Sequence, residues 1–222
     1  MPAPRRLGRP RSTDLREVVN ALLYLATTGC QWGMMPKDFP LFTTVRSYFY
    51  EWRATGLWGR INHRLVIEAH ELEGREASPS AGVIDSQSDK TTESGGISGY
   101  DAGKKIKGRK RHIVVDTLGL MVGLMVHAAD IQDRDGGYAG PKLKGALQKI
   151  AAFTVQIVKR SDKAKGFEVL PRRWVVKRTF AWLGRCRRLA KDWKKSVASA
   201  EAWITIAHIR VLTRRLARYG YR

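Results

Sequence analysis

Apolar positions along the chain change their period partway, and that change divides it. From Asp14 onward, Val18, Leu22, Leu23 and Leu25 recur at helical spacing, with Glu17 placed as a capping-box partner and Gly29 as the stop. A Trp- and Pro-rich link (CQWGMMPKDFP) leads to a second helical pattern, Val45, Tyr48, Phe49 and Trp52, capped by Thr43 or Thr44 and ended by Gly56. Leu57, Trp58, Ile61, Leu65 and Ile67 mark a third. Residues 73–81, rich in Glu, Ser and Pro, form a boundary. Beyond it the pattern becomes that of strands. GVIDS at 82–86 predicts a short buried strand that delivers Asp85 to its open end. GRKRHIVVDTLGLMVGLMVHAAD predicts two long antiparallel strands turning at Leu118-Gly119. Further on, a turn region (DIQDRDGGYAGPK) precedes a helix over 143–151, a buried strand over 153–158, and helices around 172–191 and 200–216.

The order is that of an α+β protein, with a helical domain over 1–76 ahead of a mixed-sheet domain over 82–222. Three short helices joined by glycine turns suit a helix-turn-helix module, and equally suit a small helical cap. Arg46, Arg53, Arg60 and Arg64 favour DNA only modestly, because exposed arginines are common on helices.

Charge narrows the partner. With 222 residues the chain holds one medium domain or two small ones, and 43% hydrophobic residues with seven tryptophans exclude general disorder. Lys+Arg 41 against Asp+Glu 20 gives a formal +21, an excess that self-repels until a polyanion neutralises it. Nucleic acid is therefore the leading partner. A cationic membrane-surface protein competes, but no apolar run approaches the ~20 residues of a bilayer span. The basic N-terminus (MPAPRRLGRPRSTD) lacks the apolar core of a signal peptide, and Cys30 and Cys186 match no metal spacing. A reduced cytoplasmic setting follows.

A carboxylate at a strand end beside a cationic ribbon is the layout of a metal-dependent site acting on a phosphodiester. An isolated VID aspartate would otherwise be a loop or capping residue. Lys107, Arg109, Lys110 and Arg111 in the hairpin, and Arg172, Arg173, Arg178 and Arg185 on the later helix, are the candidate phosphate contacts. His112 fits a structural role. The stripe Trp174, Phe180, Trp182, Trp193 and Trp203 is expected in the core rather than as a base-stacking platform.

Motifs across nearly the whole chain resemble the insertion-sequence DDE transposases, in their IS-five-like branch. They are CQW–PKDFP–TVRSYFYEW–GLW, VIDSQSDKTTESGG, GRKRHIVVDTLGL, HAADIQDRDG, GGYAG, KGFEVLPRRWVVKRTFAWLGRCRRLAKDW and SAEAWITIAHIRVLTRRL. The resemblance implies an RNase H-like catalytic domain in which Asp, Asp and Glu hold two Mg²⁺ ions. Asp85 corresponds to the first aspartate of that set. Asp135 sits in the motif of the second, but DRDG runs directly into GGYAG, so about two dozen residues of helix and strand are missing near 135–137. Lys177 stands where the family carries its glutamate, and an ammonium has no lone pair to offer a metal. In an RNase H-like sheet the lost strand would lie beside the Asp85 strand, a place that 153–158 can take. The implied partners are double-stranded DNA at terminal inverted repeats and, by self-association or co-assembly, further copies or an intact transposase. The implied setting is the bacterial cytoplasm at the nucleoid. The reading is thus a DNA-binding transposase-family protein, catalytically inactive in this copy. The alternatives are an active transposase with a rearranged site and a general basic RNA-binding protein.

Overall fold

Gly119 makes the central hairpin. It adopts φ 81, a left-handed conformation that side-chain-bearing residues resist, and it joins β3 (Ile106–Asp116) to β4 (Met121–Ala128) at the turn the sequence predicts. Asp116 sets the turn: its Oδ1 accepts from the N–H groups of Leu118 and Leu120, both at 2.8 Å, and its Oδ2 meets His70 Nε2 at 2.7 Å. A Cβ on residue 119 would lie 3.1 Å from both Arg178 Nη2 and Thr179 Oγ1. Gly119→Ala is therefore expected to destabilise the chain by about 1–2 kcal/mol, measurable as a lowered midpoint in urea.

The computed structural model describes residues 12–79, 81–92, 96–131 and 173–219. Its sheet is built on β3. On one side β1 (Gly82–Lys90) runs antiparallel, from Gly82 opposite Asp116 to Lys90 opposite Gly108. On the other side lie β4 and, further along, the three-residue β2 (Gly99–Asp101). Every pairing between these strands is antiparallel, and β1 is an edge among the described residues. The helix over 143–151 and the strand over 153–158, on which the mixed character rested, lie outside the described residues.

Two expectations need correction here. β1 runs nine residues rather than five, because Gln87 to Lys90 go on pairing with β3, so Asp85 sits within the strand and not at an open end. The basic run of β3 is buried from Gly108 to Asp116.

Helices cover the sheet. At the N-terminus are α1 (Leu15–Thr28), α2 (Phe42–Ala54) and α3 (Leu57–Glu71), and later α4 (Arg173–Gly184) and α5 (Val197–Tyr219). Asp14 caps α1 by accepting from Arg16 N at 2.8 Å, and Gly29 closes it at φ 71. Glu17 does not complete a capping box; it accepts from Asn20, one turn on. α2 begins earlier than expected, at Phe42, so Thr43 and Thr44 lie inside its first turn. The helix predicted over 172–191 ends at Gly184 and gives way to a single 3₁₀ turn at Arg187–Leu189.

α5 is the central pillar. Trp203, 2% exposed, stacks on Phe49 of α2 with ring centroids 4.7 Å apart, and one apolar cluster runs from α1 and α2 through β3 into α4 and α5. Among the aromatic stripe only Trp203 is core in the strict sense. Trp174 and Trp193 are 60% and 58% exposed, and Phe180 and Trp182 are half-buried.

Candidate functional site

Asp85 is held between two elements. β1 places it opposite Ile113 of β3, and α4 packs across β1 from above. The carboxylate accepts from Ser86 N at 2.9 Å, and the Arg173 guanidinium straddles it, with Nε 3.5 Å from Oδ2 and Nη2 3.5 Å from Oδ1. Arg173 is half exposed while the Asp85 side chain is largely buried. One turn further along α4, Lys177 follows on the same face and is exposed. The helix that the resemblance expects to bring a third carboxylate thus brings two cations.

Asp116, Asp89 and Asp101 are committed elsewhere. Asp116 belongs to the hairpin turn. Asp89, four residues after Asp85, is buried against Arg111; burial pushes its carboxyl up to about 6, with the Arg111 cation opposing. Asp101 accepts from Ser88 Oγ at 2.6 Å and Lys104 N at 3.0 Å. Asp130 is exposed at the end of β4. Asp135 lies outside the described residues, as does Arg172. Among the described residues no three His, Cys, Asp or Glu side chains converge as metal ligands. The donor set around Asp85 does not fit a divalent ion: its oxygens face a guanidinium, and a cation added there would meet like charge.

The expected phosphate contacts divide. Arg109, Lys110 and Arg111 are a correction, since all three are buried inside the protein. Arg109 donates to Asp192, Ile97 O, Lys194 O and Lys195 O. Lys110 donates to Ile131 O at 2.9 Å and lies 3.6 Å from Asp101. Arg111 pairs with Asp89 and donates to Leu189 O. Arg109 and Arg111 hold β3 to the segment after α4, and all three cations have an acidic partner within the protein. Burial also lowers the Lys194 ammonium to about 7, the neighbouring Asp192 opposing. Lys107 and Arg185 are exposed as expected, and Arg178 is partly so. Arg178 is sandwiched between the Trp174 and Trp182 rings, 4.7 Å from each centroid, and donates to Leu118 O.

One basic feature escaped the sequence reading. α4 and α5 enclose a cleft of about 640 Å³, into which α5 turns Arg210, Arg214 and Arg218 opposite Arg178 and Arg185. The four-residue repeat of arginine in IRVLTRRLARY was the available signal.

Residues 1–62 match a family model described as a transposase of the IS4/5 family, and a model described as a transposase DDE domain matches over 76–137 and again over 133–212. The two pieces share 133–137. No curated protein and no solved structure matches the chain. Among the described residues, no helix is long and apolar enough to cross a membrane.

Proposed function

The chain belongs to the DDE transposase family, and from that footing we propose that it binds the DNA of its element's ends without cutting it. The family implies DNA as partner and divalent metal as cofactor. The observation that carries the inactive reading is the Asp85–Arg173 pair with Lys177 next on the same helix face. Two-metal phosphodiester cleavage needs several anionic oxygens converging on the ions. Here the Asp85 carboxylate faces a guanidinium, and the glutamate position carries an ammonium.

The second carboxylate has its own difficulty. A single family domain matched in two pieces that overlap at 133–137 supports an internal loss at the junction, with one Asp-Gly stretch serving two places in the family pattern. Asp135 lies within that overlap, so its motif survives while its supporting strand does not. Duplex binding at inverted repeats falls to the helical division over 1–76, where Arg46, Arg60 and Arg64 are exposed. Co-assembly with an intact relative would make such a protein an inhibitor of transposition in the bacterial cytoplasm, at the nucleoid.

The test is strand cleavage with Mg²⁺ or Mn²⁺ on a duplex carrying the element's inverted repeat. The wild-type chain is expected to nick no faster than Asp85→Ala, and Lys177→Glu alone is expected to restore nothing. Nicking by the wild type above the Asp85→Ala background would overturn the inactive reading. Preference for the inverted-repeat duplex over bulk RNA in a binding competition is the matching expectation for the partner.

A further inference from the structure

The cleft between α4 and α5 has a chemistry that neither the hairpin nor the Asp85 site shares. Its described lining holds six arginines and no aspartate or glutamate. Arg210, Arg214 and Arg218 recur every four residues, so their guanidinium groups step along one face of α5 by about 6 Å each. Arg178 of α4 and Arg185, the first residue after α4, line the cleft with them. At the far end, Arg215 and Tyr219 are tied to Glu73 at the end of α3, with Tyr219 Oη donating at 2.6 Å, which anchors that wall. Cationic side chains gathered this closely repel one another until a polyanion lies among them.

The cleft also has aromatic edges. Trp174, Arg178 and Trp182 form a ladder along α4, with the guanidinium between the two rings and the outer ring faces turned away from it. Trp182 and Tyr219 line the cleft itself, and Trp174 is 60% exposed beside it.

We propose that this cleft binds a single strand of nucleic acid, the arginine row of α5 following its phosphates and the aromatic groups of α4 and α5 taking its bases. Aromatic faces serve unpaired bases, whose π surfaces are open, whereas a duplex hides them in the stack. A concave cleft of about 640 Å³ admits a few nucleotides of one strand, while a duplex presents a rod that rests across the rim. Arginine suits the phosphate role because its planar fork donates two parallel hydrogen bonds. The inference rests on the DNA-binding reading above and adds where, and in which form, the nucleic acid is held.

The experiment uses the full chain, with fluorescence anisotropy on a labelled oligothymidylate and on a blunt duplex over a range of salt. Arg185, Arg214 and Arg218 are all exposed, so replacing them together with glutamine leaves the core untouched and keeps good helix formers in place. In the triple variant the affinity for oligothymidylate is expected to fall at least about tenfold, and the slope of log K against log salt to shrink by about 2, close to 0.7 per lost contact. Duplex affinity is expected to change by less than about threefold, because the duplex is held elsewhere. Trp182→Leu is expected to weaken oligothymidylate binding about fivefold or more while leaving the salt slope unchanged, as loss of a stacking surface does. Unchanged oligothymidylate binding in the triple variant overturns the proposal. Equal losses on single strand and duplex overturn the single-strand assignment. Failure of the broader reading looks different: the wild-type chain would then show no preference for inverted-repeat duplex, whatever the cleft variants do.

Discussion

Arg109→Ala is expected to lower the stability of the chain by about 3–5 kcal/mol, while an exposed neighbour in charge, Arg185→Gln, changes it by less than about 0.5 kcal/mol. The difference lies in what each guanidinium touches. Arg109 is 0% exposed and donates from Nη1 to Asp192 Oδ2 at 3.0 Å and Lys194 O at 2.8 Å, from Nη2 to Lys195 O at 2.9 Å, and from Nε to Ile97 O at 2.7 Å. Truncation leaves the buried Asp192 carboxylate without its nearest cation and three carbonyl oxygens without donors. Gly96 is part of the same arrangement: a Cβ there would lie 2.1 Å from Lys195 O and 2.6 Å from Arg109 Nη2, so the chain passes only because that residue has no side chain. Lysine would not rescue the site, since one ammonium cannot reproduce a fork that reaches four acceptors. Urea unfolding followed by far-ultraviolet circular dichroism reads the effect. A variant as stable as the wild type that has instead lost DNA affinity would return Arg109 to the phosphate contacts.

That contrast also shows where local sequence stops being informative. The hairpin was legible because its causes are local: the apolar runs Ile113 to Val115 and Met121 to Val126, an aspartate that can accept from the turn, and a glycine able to take φ 81. The Asp14 cap and Gly29 stop of α1 were legible for the same reason. The charged run of β3 was misleading because the partners of Arg109 and Arg111 come from far away. Asp192 reaches Arg109 across 83 residues of sequence, and Leu189 O reaches Arg111 across 78. Nothing within a ten-residue window tells such a buried cation from a solvated one. Asp85 is the same case in reverse: its place on a strand was readable, but whether metal or cation would face it was settled by Arg173, 88 residues later. The arginine period of α5 was likewise present in the sequence, yet a row of cations becomes a cleft only when α4 crosses beside it.

The same dependence on distant partners makes His208 an acid-sensitive point. The ring is fully buried on α5 between α3 and β4. Met121 N–H can only donate, and it lies 2.9 Å from Nε2, so Nε2 is the acceptor and Nδ1 carries the proton, donated to Asn62 Oδ1 at 2.5 Å. Asn62 in turn donates from Nδ2 to Met121 O at 3.0 Å. Protonating Nε2 would break the Met121 bond and leave a charge in the core, and burial accordingly lowers the His208 imidazolium from 6.5 to about 3. Below pH 6.5 the unfolded chain takes up a proton that the folded chain refuses, so this contribution to stability is lost progressively as pH falls from about 6.5 toward 3. The full loss is on the order of a few kcal/mol. Asp89 works in the opposite sense: burial raises its carboxyl from 3.8 to about 6, so between those values the folded form holds the extra proton and acidification favours the fold. The two are separated by His208→Gln, whose amide can still accept from Met121 and donate to Asn62 but does not titrate. At neutral pH this variant is expected to be the less stable, and the gap to the wild type is expected to narrow steadily as urea unfolding is repeated from pH 6.5 down to 4. A gap that stays constant over that range would mean the His208 ring is protonated in the folded chain as easily as in the unfolded one.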